Sequence, residues 1–75
     1  MNLEYDSVAD AIYIQFREPR GPVKSRIVDD RRIVDSDADG ETGVELLFVS
    51  EGISLEGLPR RDDIAAALNA IPHQV

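Results

Sequence analysis

The chain has 75 residues, a formal net charge of −7 and no cysteine. One domain of this size buries only about 60% of the surface its unfolded form exposes, so its stability margin is small. Without cysteine, neither disulfides nor thiolate metal ligation can widen that margin, and fifteen acids against eight bases weigh against direct binding to nucleic acid or anionic membrane, which needs clustered Lys and Arg.

The opening stretch MNLEYDSVADAIYIQF alternates apolar and polar residues, with Leu3 and Tyr5 in one run and Ile12, Ile14 and Phe16 in the next. A period of two predicts two half-buried strands. The stretch has no basic n-region and no long apolar run, which predicts a soluble cytoplasmic protein without signal peptide or membrane span. Between the runs, YDSVADA is too short for a substantial helix and reads as a turn, with Asp6 placed to accept backbone N–H groups two or three residues on. Pro19, Gly21 and Pro22 then interrupt the pattern and predict a loop.

Val23, Ser25 and Ile27 open a third strand, and Ile33-Val34 begins a fourth after the DDRR turn. Beyond Gly43, VELLFVS is apolar on both sides, with Val44, Leu46 and Phe48 on one face and Leu47 and Val49 on the other, which predicts a central strand. Residues 51–58 hold two glycines and read as irregular. A helix is predicted over 59–71: Pro59 suits a first turn, Asp62 and Asp63 suit its positive end, and Ile64, Leu68 and Ile71 form an apolar stripe ended by Pro72. The whole is an α+β domain, a small antiparallel sheet of four or five strands over 3–50 with one C-terminal helix packed on it.

Charge is unevenly placed. Arg17, Arg20, Lys24 and Arg26 face the single acid Glu18, whereas seven acids between Ile27 and Glu45 face only Arg31 and Arg32. Solvated loops account for such runs, and so does an acidic patch for a basic partner. Within the acidic stretch, Asp35, Asp37, Asp39 and Gly40 match the opening of an EF-hand loop. Position 12 of that loop would be Leu46 in place of the bidentate Glu, and the flanks read as strands where helices are required. The aspartates therefore read as a hairpin turn, in which Gly40 or Gly43 supplies positive φ, with a divalent-cation site at Asp35, Asp37 and Asp39 as the weaker alternative.

Taken together, YDSVADAIYIQF and IVDSDADGETGVELLFVS resemble the DUF2283 family of small prokaryotic proteins. The residues that carry the resemblance are Tyr5, Asp6, Asp10, Ala11, Tyr13, Asp35, Asp37, Gly40, Gly43, Glu45 and Leu47, with Ser36 departing from the usual apolar residue and Asp30-Arg31-Arg32 from the common Gly-containing turn. The resemblance implies a bacterial protein with a compact antiparallel sheet, brings no activity, and points towards an antitoxin-like companion of a small toxin-like protein.

Catalysis has little support in the residues. The one histidine, His73, lies three residues from the end of the sequence. Asp6 with Asp10, or Glu45, are the carboxylates that acid–base chemistry could use, but so short a domain offers little volume for a shielded pocket, and Asp6 and Asp10 serve equally well as turn caps. Tyr5 and Tyr13, on strand positions, read as packing residues. The sequence thus predicts a non-enzymatic interaction module with no cofactor and a basic protein partner. It also predicts a homodimer through the 44–49 strand or the helix stripe, with Leu47, Val49, Ile64, Leu68 and Ile71 as interface candidates, because one helix can cover only one sheet face.

Overall fold

The computed structural model describes residues 1–70. The strands are β1 (Asn2–Asp6), β2 (Ala11–Gln15), β3 (Lys24–Asp29), β4 (Arg32–Asp37) and β5 (Gly40–Leu47), followed by a 3₁₀ turn (Val49–Glu51) and the helix α1 (Arg61–Asn69). They form one antiparallel sheet in the order β1-β2-β5-β4-β3, so the last strand in the chain lies at the centre. This is the expected α+β arrangement, with five strands.

Register decides which side chains share a face. Ile12 lies opposite Leu46, Ile14 opposite Val44, and Val44 in turn opposite Val34. These residues, with Phe16, Leu58 and Ile64, make the core, against which Leu3, Val28, Val49, Leu55 and Leu68 pack. The segment after β5 and α1 therefore cover one face of the sheet and leave the other open. The helix begins at Arg61, two residues after Pro59, with Asp62 and Asp63 in its first turn. Arg60 precedes it in a left-handed conformation (φ 54°), places its guanidinium 4.8 Å from the Phe16 ring centroid, and donates from Nε to Asp63 at 2.9 Å.

Three expectations change. First, β5 starts at Gly40, directly after the Ala38-Asp39 turn; Gly40, one of the two glycines expected to supply positive φ, has φ 125°, while Gly43 lies within the strand beside a register shift opposite Asp35 and Ser36. Second, Phe48 takes a left-handed φ of 54° and ends the strand, so the alternation breaks there. Phe48 is left 47% exposed, and Val49, expected on the face opposite Val44, turns back to pack on the core. Third, Ile64 is 0% exposed and Leu68 packs on the same core, so the helix stripe covers the chain's own sheet and is not a free dimer surface. Ile71 and Pro72 lie outside the described residues. Of the interface candidates described, Leu47 alone remains on the open face, half-buried. Among the described residues no helix is long and apolar enough to cross a membrane.

Candidate functional site

The open face is built by the other half of each alternation. Tyr13 of β2 lies opposite Glu4 of β1 on one side and Glu45 of β5 on the other; Asp6 lies opposite Ala11, and Ala11 opposite Leu47. On the far side of β5, Gly43 faces Asp35, which faces Ser25. Strand residues Glu4, Asp6, Asp35 and Glu45 thus share a face that carries no strand Lys or Arg.

Tyr13 organises this face. A Cβ on Gly43 would come within 2.8 Å of the Tyr13 Oη and 2.6 Å of the Ile14 carbonyl oxygen, so the absent side chain is the space in which the tyrosine lies. The ring runs across β5 towards Asp35. Burial, then the neighbouring Asp35 carboxylate, then the charges of Glu45 and Glu4, raise the Tyr13 pKa above its ordinary value. The hydroxyl therefore stays neutral, and Asp35 accepts from Ser25 Oγ at 2.6 Å.

The remaining acids of the shared pattern have structural partners. Asp6 Oδ1 accepts the Val8 and Ala9 N–H groups at 3.0 and 3.1 Å and closes the β1–β2 turn, as the sequence predicted. Asp10, in a left-handed conformation (φ 54°), accepts the Ser50 N–H and Oγ–H at 2.9 and 2.7 Å, while its carbonyl accepts the Val49 N–H at 3.0 Å. It caps a 3₁₀ turn forty residues away, not the turn it belongs to. Asp37, whose side chain is only 1% exposed, receives a two-point contact from Arg17 (2.7 and 2.8 Å) and the N–H groups of Arg20 and Asp39, both at 2.8 Å. Arg17 first, then these N–H groups, holds its carboxyl well below the usual carboxylate range.

The three aspartates of the loop are accordingly divided: Asp35 on the open face, Asp37 on Arg17, and Asp39 exposed at the turn. Among the described residues no group of three or more His, Cys, Asp or Glu side chains is placed to hold a metal ion. Asp6 and Asp10, considered together for acid–base work, serve separate partners. Tyr5, expected to pack, is 57% exposed at the sheet edge, and His73 lies outside the described residues.

Glu45 is different. It sits half-buried in the central strand and makes no hydrogen bond or ion pair among the described residues. It borders a shallow hollow of about 250 Å³ formed with Glu4, Asp6, Ala9, Ala11, Tyr13 and Leu47. A second hollow, of about 300 Å³, lies at the β3–β4 end, where Arg31 pairs with Glu51 and Arg32 pairs with Asp29 and donates to the Ser54 and Glu56 carbonyls. Its cations are already engaged. The sequence shows Arg17 only as one of a basic run and gives no partner for Ser50; for Glu4 a signal is present, since it alternates with Leu3 and Tyr5 and so falls on the same face as Asp6.

No curated protein and no solved structure matches the chain. A family model described as "Protein of unknown function (DUF2283)" matches residues 2–50. The match runs from β1 to the Ser50 that Asp10 holds, taking in the whole sheet and leaving α1 outside. The open face, the Tyr13–Gly43 packing and the Asp10 cap all lie within that span, and the chain belongs to the DUF2283 family.

Proposed function

We propose that this chain is a non-enzymatic protein-interaction module of the bacterial cytoplasm that binds a basic partner protein through the open face of its sheet. The observation that carries the reading is Glu45: every other acid of the shared pattern has an intramolecular task, whereas the half-buried Glu45 has no hydrogen-bond or ion-pair partner among the described residues and lies beside Tyr13. A carboxylate without a partner in its own chain is open to pairing with a cation from outside, and the pairing gains where the contact is shielded from water. Glu4 and Asp6 add charge of the same sign, and Tyr13 and Leu47 supply apolar surface for the stem of a Lys or Arg side chain. An antitoxin-like pairing with a small basic protein is the partnership that the family resemblance favours.

The test compares proteins captured from the source cells by the wild-type chain and by Glu45→Gln and Glu4→Gln variants, identified by mass spectrometry. A basic protein retained by the wild type and lost from both variants is the expected result. Capture that is the same for all three chains rejects the open face as the binding surface.

A further inference from the structure

Among the described residues the sheet has two edge strands without an outer neighbour, β1 and β3, and they are treated differently. β3 carries Lys24 and Arg26, and its pairing with β4 shifts register between Ile27 and Asp29. Charge and a bulge are the devices by which natural sheets discourage further strands from adding to an edge. β1 has no bulge, since its pairing with β2 is unbroken from Asn2 to Asp6, and its charges, Glu4 and Asp6, are acidic only, so they repel an acidic strand and not a basic one. In an antiparallel pair, alternate residues of an edge strand turn their N–H and C=O groups outward, which leaves β1 a regular template.

The two rows of side chains on β1 also differ in chemistry. Glu4 and Asp6 stand on the open face, while Leu3 and the 57% exposed Tyr5 stand on the other side. A strand laid along this edge would set its own alternate side chains beside these two rows. Its complement by charge and polarity is an extended segment that alternates basic with apolar residues.

We infer that β1 accepts a sixth strand from the partner, an extended segment of alternating basic and apolar residues whose basic row continues onto the acidic open face. This inference rests on the basic-partner reading above and adds the mode of attachment, main-chain pairing at β1.

Three peptides test it at low salt: one alternating lysine and valine, one of the same composition with a lysine block followed by a valine block, and the alternating peptide with every second amide N-methylated, in either phase. Affinity is measured by fluorescence anisotropy and protection of individual amides by hydrogen exchange. The alternating peptide is expected to bind at least about tenfold more tightly than the block peptide, to lose that advantage when the methyl groups occupy the pairing amides, and to protect the outward amides of β1. Equal binding of all three peptides, weakened by Glu45→Gln and without protection on β1, overturns strand addition and leaves the acidic-face reading standing. Protection gained on β3 instead overturns the choice of edge. Absence of binding by any of the peptides, or binding indifferent to both Glu45→Gln and Glu4→Gln, overturns the reading and the inference together.

Discussion

The two faces of the sheet are made by the same strands and follow opposite rules. On the covered face, aliphatic side chains from β2, β4 and β5 meet α1 and are removed from water. On the open face, neighbouring positions in those strands carry Tyr13, Asp35, Gly43 and Glu45, where polar groups lie close together with no helix above them. Adjacent residues of one strand thus answer to different requirements: the first set maintains the fold, and the second is free to be chosen for what it meets.

The strongest way to break this contrast is to remove a core side chain. Ile64→Ala should cost about 2–5 kcal/mol, because it leaves a cavity where the helix meets the sheet, and urea denaturation would measure it. Gly43→Ala is the corresponding test for the open face. The new methyl meets both the Tyr13 ring and the Ile14 carbonyl, and a loss of about 1–3 kcal/mol is expected. Adding Tyr13→Ala to that variant should restore only part of the loss, since the backbone contact remains.

These two cases show what could be read in advance. The core was legible because Ile12, Ile14, Val34, Val44 and Leu46 obey a period of two, and Asp6 because the N–H groups that donate to it lie within three residues. Gly43 was legible only as a glycine. Its purpose depends on Tyr13, thirty positions earlier, and becomes visible only once β2 and β5 are paired. Arg17 with Asp37 and Asp10 with Ser50 were hidden for the same reason. Phe48 was misplaced because an apolar residue in a strand-like run gives no sign that its backbone turns left-handed.

Asp37, where the open face reaches the hairpin turn, distinguishes the two regimes by pH. Folding lowers its pKa, so the fold favours the ionised form. Its contribution is complete above the ordinary carboxylate range, about pH 4, and is lost as acid protonates the folded state below that. Melting temperatures measured from pH 7 to pH 2 should fall steeply on the acid side for the wild type; Asp37→Asn should begin lower and fall less.

Smaller effects sharpen the comparison. Thr42 is fully buried on the covered side, and its Oγ1 has no partner among the described residues. Thr42→Val should stabilise the chain by up to about 1 kcal/mol, because an unsatisfied hydroxyl is replaced by a methyl group of similar shape. Glu45→Gln should change stability least, by no more than about 0.5 kcal/mol, while removing capture of the basic partner. A chain that loses both together would show that Glu45 belongs to the fold and not to the surface that meets a partner.

The central place of β5 also governs how the chain assembles. The two hairpins on the β5 side, β3–β4 and β4–β5, are joined by short turns and close locally, as does the β1–β2 hairpin. Only the β2–β5 seam joins partners far apart in sequence, and its formation bears the loop-closure entropy of the intervening chain. This seam is therefore the slow junction between two quickly formed parts, and the 18–23 segment that crosses it is held to β4 by the Arg20 N–H on Asp37. The β1–β2 hairpin, carrying Tyr13 and Asp10, is a detachable half: cut at Gly21, the chain becomes two fragments whose reassociation can be followed as a bimolecular reaction, with the Tyr13–Gly43 contact reporting the moment of docking.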